Sequence, residues 1–292
     1  MRVAVIGSGG QLGRDACQVL MAAGEEVVPI DVDRLDIAAG GAEVLTCLKE
    51  VAPEAVVNTA AMHHVERCED EPEKAFAVNA AGARHLALAA RDLGFLLTHI
   101  STDYVFDGAK GEPYVESDCP APLNVYANSK LSGEYFVRAI APRHFVLRVS
   151  GLYGVHPCVG KGGLNFVELM LKLARERGQV RVVDDEVLTP TWTEEIARQL
   201  LHLLRQGAPS GIYHATAEGA CSWYEFAAAI FELTKTAVRL EKARPGEFAA
   251  KVARPKYSVL ENAALKKLGL NRMANWRDAL TAYLKVRAGA VQ

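Results

Sequence analysis

No stretch of this sequence approaches the roughly 20 consecutive apolar residues of a membrane-spanning helix, although 50% of its 292 residues are hydrophobic. The apolar run after Met1-Arg2 covers only Val3 to Ile6 before a glycine, too short for the core of a secretory signal. A membrane partner is not expected, and a cytoplasmic location is. An excess of charge is lacking as well: 33 Lys and Arg stand against 35 Asp and Glu, a formal net charge of -2. Such a balance sets up no global field for a phosphodiester backbone, so nucleic acid is not an expected partner. The six cysteines, at 17, 47, 68, 119, 158 and 221, form no C-x-x-C pair, which leaves zinc knuckles, redox dithiols and disulfide scaffolds without support. Compositional bias of the collagen, coiled-coil or disordered kind is missing too.

What the chain has is alternation. Short apolar runs at Val3 to Ile6, Glu26 to Ile30, Ala55 to Val57, Phe95 to Ile100 and His144 to Val149 read as strands, because near-continuous apolar character marks parallel strands covered on both faces. Between them, Gln11 to Ala23, Ala42 to Val51, Pro72 to Leu93 and Leu123 to Ile140 read as helices. Strand and helix in this order specify an α/β fold, a Rossmann-type doubly wound parallel sheet with right-handed crossovers. Past Gly151 the regularity loosens. A glycine loop at 160–163, a helix over Asn165 to Arg177 and a strand near Val180 to Val183 come first. Helices over Glu194 to Arg205, Ser222 to Thr234 and Trp276 to Val286 then alternate with extended pieces at Ile212 to His214 and Tyr257 to Val259. The division expected is a dinucleotide-binding part over 1–150 and a smaller mixed α/β substrate-binding region over 151–292, partly packed back on the first sheet.

Gly7, Gly10 and Gly13 fall between the first strand and the first helix. A dinucleotide fold needs glycines there so that backbone approaches pyrophosphate at a helix N-terminus. Asp31 closes the second strand, the position from which a carboxylate accepts hydrogen bonds from adenosine ribose. It repels a 2′-phosphate, so of NADH and NADPH the former is favoured, with Arg34 nearby as a counterweight. Ser101-Thr102-Asp103-Tyr104 ends a buried strand, where ligands bind in open parallel sheets. Tyr126 and Lys130 are four apart on a helix and share one face; alone, the pair also fits a solvated surface. Of the nine tyrosines only Tyr126 has lysine at the fourth following position. A neighbouring ammonium favours the phenolate, which brings a phenol of pKa about 10 toward useful acid-base chemistry.

With these residues in place the chain resembles the extended short-chain dehydrogenase/reductase superfamily and, within it, the dTDP-4-dehydrorhamnose reductases. The likeness runs through GSGGQLG at 7, NTAA at 58, EDEPEKAFAVNA at 69, STDYVFDG at 101, APLNVYANSKLSGE at 121, NF at 165, TPT at 189 and ARPKYSVL at 253. The resemblance implies a catalytic set of Thr102 on the substrate oxygen, Tyr126 as proton donor and Lys130 on the nicotinamide ribose. It implies cofactor contacts at Gln11 and Leu12 beside the glycines, at Asp36 and Ile37 near the adenine, and at Asn58, Ala60 and Ala61. It gives Asn79 a part in ordering the catalytic region, and sets Val65, Asp103, Arg148 and Gly151 around the sugar. The implied activity is NAD(P)H-dependent reduction of the C4 keto group of a nucleotide-linked 6-deoxyhexose, dTDP-4-dehydro-L-rhamnose in the standard case.

Two departures border the sugar site. Arg148-Val149-Ser150-Gly151-Leu152-Tyr153 carries glycine where these reductases have tryptophan, and Met62-His63-His64-Val65 replaces a more usual aromatic or histidine followed by threonine. An altered wall changes preference by an order of 1–3 kcal/mol without abolishing the chemistry, so a related nucleotide-sugar reductase or epimerase stays open. A third reading is non-catalytic: the regulatory subunit of methionine adenosyltransferase resembles this family, and the intact Thr102, Tyr126 and Lys130 argue against it. No metal site is expected, since the adjacent His63 and His64 with Glu66 and Cys68 lack zinc spacing and Arg14-Asp15 departs from a magnesium-binding acidic pair. A homodimer is left open.

Overall fold

Branched apolar residues at the strand positions fix the frame. In the computed structural model, which describes residues 1–158, 162–244, 247–248 and 251–290, the first half holds strands β1 (Arg2–Ile6), β2 (Glu26–Ile30), β3 (Ala55–Asn58), β4 (Leu96–Thr102) and β5 (His144–Val149). Helices α1 (Gln11–Ala22) and α2 (Gly41–Val51) follow β1 and β2; α3 (Val65–Asp70), α4 (Pro72–Phe76), a π-helical turn (Ala77–Gly82) and α5 (Ala83–Leu93) follow β3; α6 (Val125–Ile140) precedes β5. The second half is built from β6 (Leu152–Tyr153), α7 (Phe166–Arg177), β7 (Gln179–Val182), β8 (Val187–Leu188), β9 (Thr191–Trp192), α8 (Thr193–Gln206), β10 (Gly211–His214), β11 (Cys221–Ser222), α9 (Trp223–Thr234), β12 (Arg239–Lys242), α10 (Ala263–Lys267) and α11 (Trp276–Ala290).

The main sheet runs β10-β5-β4-β3-β1-β2, and every pairing in it is parallel. Alternate residues of β1 serve its two faces. Val3 and Val5 join Leu12, Ala16 and Leu20 of α1 and Ile196, Leu200 and Leu203 of α8 on one side. Ala4 and Ile6 join Val44 and Leu48 of α2, Leu86 and Ala90 of α5 and Val137 of α6 on the other. The order reverses between β1 and β3, which opens a crevice at the carboxyl ends of these strands. The edge strand β10 comes from the second half, paired with β5 from Gly211 opposite Phe145 to His214 opposite Arg148. A separate core of Tyr153, Val167, Met170, Phe226, Ile230, Leu280 and Tyr283 sits among α7, α9 and α11.

Several boundaries differ from those read in the sequence, each for a local reason. The helix expected over 72–93 is interrupted by the π-helical turn, which an alanine-rich run does not signal. Helix α6 starts at Val125 because the Asn124 side chain accepts the N–H of Ala127 as its cap. Asn165 and Ser222 likewise cap α7 and α9 rather than belong to them. Tyr257 to Val259 makes a single bridge, Tyr257 to Val187, rather than a strand. The glycine loop expected at 160–163 lies partly outside the described residues.

Candidate active site

The turn after β1 tolerates nothing larger than glycine at its key positions. Gly7 has φ +77°, and a Cβ there would lie 2.8 Å from the backbone nitrogen of Ala60. At Gly13 a Cβ would meet the Gly7 carbonyl oxygen at 2.2 Å. The turn is pinned by hydrogen bonds from Gly7 N to Ile30 O (2.9 Å) and Gly10 N to Gly7 O (3.1 Å). It delivers the chain into α1, whose N-cap is Gly10 and whose first turn holds no acidic residue. The unpaired N–H groups and positive dipole end of such a helix suit a pyrophosphate. Leu12 is turned into the core, so only its backbone faces this site. Gln11 directs its amide to His156 O (2.8 Å) and Gly154 O (3.4 Å), tying the turn to the chain after β6.

Asp31 stands at the end of β2 against this turn. Its carboxylate accepts the N–H of Gly9 at 2.9 Å and that of Val32 at 2.9 Å, and a Cβ on Gly9 would collide with it at 2.1 Å. Asp36 caps its own loop by accepting from Ala38 N (2.9 Å). Ile37 is buried against Gly82, where a Cβ would come within 2.7 Å of it. A crevice whose floor is glycine backbone, whose mouth carries a fixed carboxylate and whose helix end is free of acid fits a dinucleotide.

Across the crevice, Thr59 zips β3 to β1 through Oγ1 bonds to Ile6 O (2.8 Å) and Gly7 O (3.0 Å). Asn58 accepts from Ala60 N (3.2 Å) and directs its amide to His99 (3.1 Å). Ala60 and Ala61 follow, half-buried. Asn79, in the π-helical turn, accepts from Met62 N and donates to Met62 O and to Ser129 Oγ, all at 2.9 Å. Ser129 in turn donates to Tyr126 O at 2.8 Å. The bulged turn thus clasps the 60–62 loop to the helix that carries Tyr126.

Of the expected set, Thr102 lies beside Tyr126, while the Lys130 amine, one helical turn on, is directed to the Ile100 carbonyl and the His99 ring. Thr102 ends β4, its hydroxyl donating to Asp103 Oδ1 (3.0 Å) and accepting from Tyr104 N (3.2 Å). The Tyr126 ring packs edge-on to Tyr104 with centroids 6.1 Å apart. Burial pushes the Tyr126 phenol above its ordinary range, the neighbouring Thr102 hydroxyl acts against that, and Asp103 adds to it. Lys130 is buried and donates to Ile100 O at 2.6 Å. Burial pushes this ammonium down to about 8, with Glu134 acting the other way. The expected easing of Tyr126 ionisation by Lys130 is therefore not what governs the phenol here; desolvation is.

Around the expected sugar pocket the picture needs correction. Arg148 does not line a pocket: it is 1% exposed, and its guanidinium forms a fork on Glu134 at 3.0 Å (Nε to Oε1) and 2.7 Å (Nη2 to Oε2). Asp103 is turned inward as well, accepting from Ser150 Oγ at 2.7 Å and from Thr102, and burial raises its carboxyl. Its side-chain contacts are with Thr102, Ser150 and Ser258 rather than with an open cavity. Gly151 has φ +56°, and a Cβ would lie 2.8 Å from Leu188 Cδ1 and 3.1 Å from Pro190 Cα, so the wall is closed there by backbone and Leu188. Val65 opens α3, half-buried. His64 caps that helix by accepting from Arg67 N, and among the described residues no cluster has the makings of a metal site. Three contributors were not singled out in the sequence. His99 had no motif to mark it, Ser129 lies inside APLNVYANSKLSGE with no role assigned to it there, and Arg254, inside ARPKYSVL, pairs with Glu66 and lays its charge toward Tyr104.

Comparison with known proteins gives a concordant result. The family model described as "RmlD substrate binding domain" matches residues 1–288. A spore coat polysaccharide biosynthesis protein, SpsK, of Bacillus subtilis is 39% identical over 289 residues, 99% of both chains. A dTDP-4-dehydrorhamnose reductase of Streptomyces griseus is 39% identical, covering 95% of this chain and 91% of its own. Among solved structures, the dTDP-4-dehydrorhamnose reductase of Bacillus anthracis in complex with NADP superposes with a TM-score of 0.91 at 36% identity, over 97% of this chain and 98% of its own.

Proposed function

We propose a function from one premise: the chain belongs to the RmlD substrate binding domain family. It is an NAD(P)H-dependent reductase of a nucleotide-linked 6-deoxy-4-keto-hexose, with dTDP-4-dehydro-L-rhamnose to dTDP-L-rhamnose as the reaction. The observation that carries the reading is the meeting of Thr102 and Tyr126 at the carboxyl end of β4, with Lys130 one helical turn on, beside a glycine crevice shaped for a dinucleotide.

The residues divide the work. A nicotinamide cofactor held by the turn at Gly7, Gly10 and Gly13, with the backbone of Gln11 and Leu12, supplies the hydride. Asn58, Ala60 and Ala61 form the opposite wall of its cleft. Tyr126 gives its proton to the oxygen at C4. A phenol held above its ordinary range stays protonated at neutral pH, so the acid is present in the right form at the start of each turnover. Thr102 exchanges its bond to Asp103 for one to the same oxygen. Lys130 holds the ribose. Asp31 at the adenosine end disfavours a 2′-phosphate, so NADH is the preferred reductant and NADPH the poorer one.

Steady-state nicotinamide oxidation with dTDP-, UDP- and GDP-linked 4-keto sugars tests this reading. The dTDP sugar is expected to turn over fastest, and faster with NADH than with NADPH. Tyr126→Phe is expected to keep NADH binding and lose roughly 10²–10⁴-fold in turnover. Epimerisation without net oxidation, or no turnover on any of the three sugars, would replace it.

A further inference from the structure

β4 buries a histidine three residues before Thr102. His99 is 1% exposed and its ring is held on three sides. Asn58 Nδ2 lies 3.1 Å from Nδ1 and Lys130 Nζ lies 3.5 Å from Nε2. Gly133 closes the third side, where a Cβ would come within 3.2 Å of Nε2. The Asn58 amide has one orientation consistent with its surroundings, because Ala60 N donates to Oδ1 at 3.2 Å. Its NH₂ then faces Nδ1, which accepts. A neutral imidazole with a bare Nδ1 carries its proton on Nε2, the nitrogen that faces Lys130. Burial and the lysine charge both hold the ring neutral.

We propose that His99 is a positioning residue for Lys130: Asn58 fixes its tautomer, and its Nε2–H edge withholds an acceptor from the lysine amine, so that this amine gives up its proton readily. The inference rests on Lys130 being part of the reductase site. The Ile100 carbonyl is the close acceptor of Nζ, at 2.6 Å. From the neighbouring elements, β3 contributes the neutral Asn58, the π-helical turn the neutral Asn79, and β5 the Arg148 guanidinium, whose charge is matched by Glu134. Glu134, on the same helix as Lys130, favours the ammonium but is already bound by Arg148 and by Ser101 Oγ at 2.5 Å. With donor facing donor, the charged lysine lacks the second partner that an acceptor at Nε2 would supply. The discharge of Lys130, near pH 8, then sets the alkaline limit of cofactor binding.

Two measurements on the full chain test this. Two-bond ¹H–¹⁵N correlation spectra of protein labelled at histidine nitrogen report the tautomer directly. His99 is expected with Nε2 protonated and Nδ1 bare, unchanged from pH 6 to 9; an Nδ1–H tautomer or an imidazolium overturns the proposal. NADH affinity is then followed against pH by fluorescence titration for the wild type and His99→Gln, whose amide can turn its oxygen to Lys130. The alkaline ionisation is expected to move up by about one pH unit, a tenfold gain in proton affinity. An unmoved ionisation, whatever the loss of affinity or stability, identifies a merely structural histidine and refutes the idea. Both readouts are spectra or binding rather than turnover, so a failure of the sugar assignment leaves them decisive.

Discussion

Replacing Lys130 by methionine is expected to stabilise the protein while it removes activity. In the folded chain burial brings this group from 10.5 to about 8, a cost of about 3 kcal/mol at neutral pH for holding the ammonium inside. Methionine keeps a linear side chain in the same slot and carries no charge. Against this, Ile100 O loses its donor from Nζ, a penalty of roughly 1–2 kcal/mol for an oxygen that keeps its sheet environment. The net expectation is a gain of about 1–2 kcal/mol at pH 7, or a few degrees in Tm for a chain of this size. The sign with pH is fixed by linkage. Between about 8 and 10.5 the unfolded chain binds one more proton at this position than the folded one, so wild-type stability rises with pH through that window. The advantage of Lys130→Met is therefore full below pH 8, shrinks through the window, and reverses above it. Urea unfolding of both proteins, followed by tryptophan fluorescence from pH 6 to 10.5, measures the difference directly. A variant that is less stable at pH 7, or a gap that does not change with pH, refutes the reasoning.

Other substitutions probe the frame. Glu134→Gln leaves the Arg148 guanidinium buried without its counter-charge and is expected to cost about 3–5 kcal/mol in chemical denaturation; an unchanged midpoint would mean that the pair contributes nothing. Gly151→Trp, which restores the aromatic residue typical of the related reductases, is expected to destabilise by roughly 1–3 kcal/mol without improving turnover, because φ is +56° and Leu188 occupies the space of the Cβ. A well-folded, more active variant in the same unfolding and turnover assays would show that this wall adapts.

The sequence was most informative where chemistry and backbone geometry demand one residue type. Glycines at 7 and 13 are legible because backbone lies where a methyl carbon would be, and Tyr126 with Lys130 because a helix repeats every 3.6 residues. The strands of the first half were legible from their apolar runs. Less visible were features set by long-range contact. Arg148 sits at the end of an apolar strand beside the departure at Gly151, and nothing local reveals that Glu134, fourteen residues earlier on α6, takes its guanidinium. The π-helical turn around Asn79 has no propensity signature, and the contacts it makes, from the Asn79 amide to Met62 and Ser129, are with residues 17 and 50 positions away. His99 reads as one polar residue in a buried strand, and its partners Asn58 and Lys130 come from two other elements.

The pairing of β10 with β5 bears on how the chain emerges from a ribosome. Once His144 to Val149 is made, its outer edge has no neighbour until Gly211 to His214 arrives. At ordinary translation rates that interval is roughly 3–13 s. During it a strand with an apolar centre, Phe145 to Leu147, has one row of backbone groups open to any other extended chain. Helix α8, which covers the same side of the sheet as α1, is made in the same interval. The nascent first half is thus the aggregation-prone stage of this protein's life, and the short β10 is the piece that ends it.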